Sequence, residues 1–316
     1  MGKINREQRT DGGCNMTAKC FTTLLISLLL CSFSLQAQKN VSLAVIEDSL
    51  SCIQRKIQKT NNDSIRQSLN ELFKNELKIA ISLPGSFYYP FDSLKKVAKM
   101  MSSDKKFRIY NWNFPDINGF DKYFCFLQIA LNKSGKVFKI IELTNRLDSI
   151  PDPEHSDLTS SCWYGALYYK IITESSKEGM IYTLLGWEEL NRLQGQKEIE
   201  VLTFDDKNIP HFGKKIFNQY KDGENKRVIF KYSPSATMVL RYEEQSISTG
   251  KKWNSTRRAF EEKFSKTPMI VCDRIVSMDT QEGNGPILIP AGDIYDGFIF
   301  QNDHWNFREG VDARNN

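Results

Sequence analysis

Residues 163–187 read WYGALYYKIITESSKEGMIYTLLGW. Two runs of aromatic and β-branched residues flank a polar stretch that ends in glycine, which is the pattern of a β-hairpin. With a turn near ESSKEG, setting Ile171 opposite Tyr182 also sets Tyr169 opposite Leu184, and it puts Ile172 opposite Ile181 on the other face. Both faces are then largely apolar, as a central hairpin covered on two sides requires.

Outward from this hairpin the period of two recurs. Beyond Lys105 the runs KFRIYNW, KYFCFLQIAL, KVFKIIELT, EIEVLTF, KRVIFKYS, TMVLRYE, MIVCDRIV and DGFIF with HWNF all read as strands. About eleven strands with short polar connections predict a large, mainly antiparallel β domain, a sandwich or barrel, with a few-bladed propeller as the alternative. Before Lys105 the period is helical. Ile46, Leu50, Ile53 and Ile57 form one apolar stripe, and Leu69, Phe73 and Leu77 form another after KTNNDS. Asp63 or Ser64 is placed to cap the second helix, with Gln67 set for a capping box, and LPGSFYYP ends it. The expected fold is α+β: a helical hairpin and linker over 38–100, then the antiparallel β domain over 101–316.

The segment from Met16, MTAKCFTTLLISLLLCSFSLQAQ, has the form of an export leader. Lys19 supplies the positive start, Phe21 to Leu35 the apolar run, and Ala37 a small residue for cleavage; residues 1–15 read as an over-called start. Removing residues 1–37 leaves 39 basic and 36 acidic residues, a net charge of +3. A charge that mild excludes nucleic acid as the expected partner and gives no overall pull toward an anionic membrane. Beyond the leader no segment is apolar and long enough to span a bilayer, so a periplasmic or secreted protein is expected. Four cysteines remain after the leader, Cys52, Cys125, Cys162 and Cys272; they allow three disulfide pairings, and Cys125 and Cys272 also suit buried strand positions.

Candidate chemistry is sparse. There is no CxxC, GxGxxG, P-loop, HExxH, GxSxG or EF-hand pattern, so no cofactor and no metal are expected. A carboxylate pair for acid–base work would come from Asp205, Asp206, Asp293 and Asp296 if the fold brought two of them together. Cys162 would need His155, His211 or His304 beside it to act as a nucleophile. The stretch DGFIFQNDHWNF places His304 at a hairpin tip, where Phe300 faces Trp305 and Phe298 faces Phe307. Residues 251–266 carry six basic and two acidic residues with Trp253 and Phe260 among them, and Ser255 to Phe264 read as a short helix. Asp293, Asp296, His304 and Trp253 are therefore the candidate binding residues.

The runs KKFRIYNWNF, IYTLLGWEELN, KRVIFKYSPSATMVLRYEE and YDGFIFQNDHW together resemble a family of exported β-rich proteins of Bacteroidetes bacteria, over roughly residues 100 to 314. That resemblance implies export and a β-rich domain, and no activity. The function expected is a non-enzymatic binding or structural component of the bacterial envelope, with an envelope protein or a glycan as partner. A carboxylate-dependent glycan hydrolase is one alternative, and a module that docks a protein through its N-terminal helices is the other.

Overall fold

The computed structural model describes residues 42–116, 120–191, 194–233, 235–278 and 287–312. The leader read at residues 1–37 lies outside them. Among the described residues no helix is long and apolar enough to cross a membrane.

Among the described residues two helices, α1 (Leu43–Lys59) and α2 (Asp63–Ser82), precede fifteen strands in three sheets. The first sheet runs in the order β1 (Ala98–Met101), β2 (Phe107–Pro115), β3 (Asp121–Ala130), β4 (Phe138–Leu143). The middle sheet has the order β5 (Leu158–Thr159), β9 (Pro210–Phe212), β8 (Gln194–Phe204), β7 (Gly179–Asn191), β6 (Leu167–Ser176), and β11 (Val228–Tyr232) also pairs with β8. The third is ordered β10 (Phe217–Asn218), β15 (His304–Val311), β14 (Ile287–Gln301), β13 (Ala259–Met278), β12 (Leu240–Asn254). All pairings are antiparallel except β10 with β15. No sheet closes into a barrel; the sheets stack as a sandwich with the helices as an outer layer.

Alternation along the strands assigns each face. In β2, Tyr110 and Trp112 join Phe126 of β3 in a core with Leu50, Ile53, Phe73 and Leu77 of the helices. Phe107 and Ile109 point the other way, into a core with Tyr168, Tyr182, Leu184 and Leu202 of the middle sheet. The opposite face of the middle sheet, through Ile181, Leu185, Ile199 and Val201, meets Leu240, Ile270, Phe298 and Trp305 of the third. The predicted helical stripe is thus a layer of the core. Hydrogen bonds fix these contacts: Trp112 Nε1 donates to Asn70 Oδ1 at 3.0 Å, Tyr168 N to Asn111 Oδ1 at 2.7 Å, and Trp305 Nε1 to Thr183 Oγ1 at 2.9 Å.

Three local expectations change. The α2 cap is Asn62, whose side chain accepts from Ile65 N at 3.0 Å, one residue before the predicted capping positions. The opening hairpin is closed by the two-residue turn Lys177–Glu178, so Ile171 faces Leu184 and Thr173 faces Tyr182. A slip of two residues keeps every side chain on its face, so the two-sided burial survives the wrong register. Residues 255–264 form the turn and return strand of a long hairpin, with Trp253 opposite Phe260, and not a helix. Asn254 Oδ1 accepts from Thr256 N and Arg257 N there, which is the hydrogen-bond chemistry of a helix cap used to close a turn. The four cysteines within the described residues are free thiols, Cys125 and Cys272 buried.

The final hairpin has the expected register, Phe300 with Trp305 and Phe298 with Phe307. Asn302 and Asp303 at φ 53° and 67° form its left-handed two-residue turn. Trp305 is wholly buried, whereas the His304 ring is half-buried and lies 2.8 Å from Asn302 O in its own turn. Replacing Trp305 by Ala should therefore cost about 3–5 kcal/mol in chemical denaturation, and His304→Ala should leave the midpoint unchanged; equal costs for the two would mean that the hairpin is not seated as described.

Candidate functional site

The unusual chemistry lies on the middle sheet. Along β8, Ile199 and Val201 face the third sheet, which leaves Gln196, Glu198, Glu200 and Leu202 facing the first, about 6.6 Å apart from one to the next. On an ordinary half-exposed strand this second row would meet water. Here a sheet covers it, and Gln196, Glu198 and Glu200 are all buried.

The row is only partly neutralised. Arg227, also fully buried, donates from Nε to Glu200 Oε2 at 2.9 Å and from Nη1 to the carbonyls of Pro153 and Ser156. It ties the loop between β4 and β6 to the sheet. Gly213 makes this possible: at φ +91° a Cβ would sit 2.8 Å from Arg227 Nη2 and 2.9 Å from Ser156 O. Burial pulls the guanidinium pKa down, but the neighbouring Glu200 and Glu198 outweigh it and hold it above its ordinary value. Neither carboxyl oxygen of Glu198 has a hydrogen-bond partner among the described residues. Burial first, then Glu200 and Glu188, push its acid well above the ordinary carboxylate range. One arginine serves two acids, so Glu198 stays protonated. Gly186 opposite it supplies the room, since a Cβ there would come 2.9 Å from the Glu198 side chain.

The row reaches solvent through Glu188. Gln196 Nε2 donates to Glu188 Oε2 at 2.5 Å and to Tyr164 OH at 2.7 Å. Glu188 forms part of the wall of a polar cleft of about 770 Å³ with Asp121, Tyr123, Arg146, Asp148 and Lys74. Burial, and secondarily Asp148, raise the Glu188 acid well above its usual value. On the opposite face of β7 the next residue back, Trp187, lines a second cavity of about 740 Å³ with Tyr169, Gly195, Lys197, Tyr232 and Met238. This groove is aromatic and preformed. Trp187 and Tyr232 share its lining, Tyr169 OH donates to Leu240 O at 2.8 Å, and Lys197 Nζ donates to Met238 O at 2.6 Å while lying 5.8 Å from the centre of the Tyr169 ring.

The residues singled out by sequence lie elsewhere. Asp296 is buried in a fork with Arg274, at 2.9 and 2.5 Å, and also accepts from Gly310 N at 3.0 Å. Asp293 is exposed on the same strand, His304 sits at the final turn, and Trp253 is exposed near the tip of the β12–β13 hairpin. Asp205 accepts from Lys207 N and Ile209 N, the turn-forming use of aspartate, and lies 3.8 Å from His211. None of Asp205, Asp206, Asp293 and Asp296 lines either large cavity. Cys162 packs beside the first core, and His155 pairs with Asp152 at 2.9 Å. Among the described residues no group of histidine, cysteine, aspartate and glutamate is arranged to hold a metal ion. No family model, curated protein or solved structure matches the chain.

The protonated Glu198 makes stability depend on pH in a definite direction. Its pKa is raised in the fold, so its contribution is least unfavourable below the unfolded value near pH 4 and worsens as the pH climbs toward the folded value. Glu198→Gln should raise stability at pH 7 by about 1–3 kcal/mol, with the gain shrinking toward pH 4. Urea denaturation of both proteins across that range checks it; a gain that grows on acidification would show that Glu198 is ionised in the fold.

Proposed function

We propose that the chain is an exported binding protein of the bacterial envelope that holds a glycan in the aromatic groove. The carrying observation is the wall made by Tyr169, Trp187 and Tyr232, with Tyr169 held by its hydrogen bond to Leu240 O, bordered by the amine of Lys197 and the side chain of Glu189. Pyranose rings have apolar faces that lie on aromatic rings, and hydroxyls that need a few placed polar groups at the edge. Gly195 keeps the floor low: a Cβ there would already come 3.3 Å from the Tyr232 ring. Export is supported by the leader-like segment from Met16, and the envelope supplies glycans in quantity. The apolar stripe of the helices is packed against the first sheet, so a protein partner would have to use their outer face.

A second reading is favoured by Glu188. An acid kept protonated in the wall of a polar cleft, with Asp121 and Asp148 in the same wall, is the equipment of glycan hydrolysis, Glu188 donating the proton to the leaving oxygen. One experiment separates the two. Calorimetry with β-linked N-acetylhexosamine oligomers and with neutral hexose oligomers should show binding that Trp187→Ala weakens by at least about tenfold at a temperature where the variant is still folded. Reducing ends assayed in the same samples should not accumulate. Accumulation abolished by Glu188→Gln would move the conclusion to the hydrolase, and no binding of any oligomer would remove the glycan reading.

A further inference from the structure

The β12–β13 hairpin leaves the body of the protein. β13 pairs with β14 only from Ile270 onward, so, among the described residues, 246–266 form a ribbon of two strands that pair only with each other. Such ribbons are marginal in water and expose both edges. This one also exposes aromatics: Trp253 is 52 %, Phe260 67 % and Phe264 58 % accessible. The register sets all three on one face, together with Lys251, Lys266 and Glu262, which lies opposite Lys251. That face is the outward continuation of the one that, nearer the body, buries Leu240, Ile270 and Cys272 against the middle sheet. An apolar face that is core at one end is therefore uncovered at the other.

Its charge says what covers it. Residues 250–266 hold Lys251, Lys252, Arg257, Arg258, Lys263 and Lys266 against Glu261 and Glu262, so +4 of the chain's net +5 sits on this one ribbon. Among the described residues Arg257 is the only one of the six in an ion pair, with Glu261 at 2.9 Å. The mild overall charge conceals a concentrated one. Exposed phenylalanine and tryptophan flanked by lysine and arginine is the composition that settles at a bilayer surface, rings among the headgroups and amines on their phosphates. Phenylalanine offers no hydrogen bond to a polar polymer, so the two rings favour lipid over an anionic polysaccharide.

We propose that this ribbon docks the protein on a membrane surface rich in anionic lipid, inserting Trp253, Phe260 and Phe264 to headgroup depth. The test uses the full chain and vesicles of phosphatidylcholine, with and without about one third phosphatidylglycerol. Co-sedimentation with the anionic vesicles, weakened in about 0.5 M salt, is expected. A blue shift in tryptophan emission should accompany it, because Trp112, Trp163 and Trp305 are already buried and Trp187 only partly open. Trp253→Phe should abolish the shift while keeping most of the binding. Phe260→Ser with Phe264→Ser should cut the bound fraction by at least about tenfold with an unchanged melting temperature, since both side chains are exposed. Three results would overturn the proposal: no binding to anionic vesicles at low salt, binding that the double serine variant retains, or preferential capture by a soluble polyanion such as heparin that the variant also retains.

Discussion

The centre of the middle sheet has no wet face. With the first sheet on one side and the third on the other, the central parts of β7 and β8 bury what they carry, apolar or polar. Polar side chains in such a place require partners. Thr183 receives the indole of Trp305, Gln196 joins Glu188 to Tyr164, and Glu200 takes Arg227. These pairs also set the positions of the neighbouring pieces. Arg227 fixes the loop at Pro153 and Ser156, and the Trp305 bond registers the last hairpin on the sandwich. Glu198 is the member left over, and keeping it as an acid is cheaper than burying a second charge beside Glu200.

The two candidate cavities lie where the cover ends. At the far end of β7, Trp187 lines the aromatic groove and its neighbour Glu188 lines the polar cleft, on opposite faces of one strand. The same period of two that builds the cores delivers a stacking ring to one cavity and a proton-bearing acid to the other. Both side chains inherit rigidity from the sheet behind them, which loops such as the one carrying Asp205 do not have. The β12–β13 ribbon is the opposite case, a pair of strands that runs past the body and carries exposed rings and cations outward.

Much of the architecture was legible because periodicity reports which faces are buried. The steps of three and four through Ile46, Leu50, Ile53 and Ile57 identified a packed helix, and the Asn302–Asp303 turn fixed the final register. The strands of two or three residues, β5, β9 and β10, carry too few residues for any pattern. The site was hidden by the same rule that revealed the fold. In QKEIEVLTF the carboxylates alternate with apolar residues and read as the solvent face of a strand, because alternation cannot say whether another layer covers the polar side. The clue present in sequence was the opening hairpin: if β6 and β7 are covered on both faces, the strand paired with β7 has a covered polar row as well. The β12–β13 turn was misread for a different reason, since an asparagine ahead of a polar run closes a turn with the bonds that start a helix.

The middle sheet should be the last part of the described chain to open. Native-state hydrogen exchange resolved by residue measures this directly. The slowest amides should lie in β7 and β8, over residues 181–189 and 195–202, exchanging only on global unfolding, while amides in 246–266 exchange by local opening orders of magnitude faster. Protection of the outer sheets that outlasts that of β7 and β8 would contradict it.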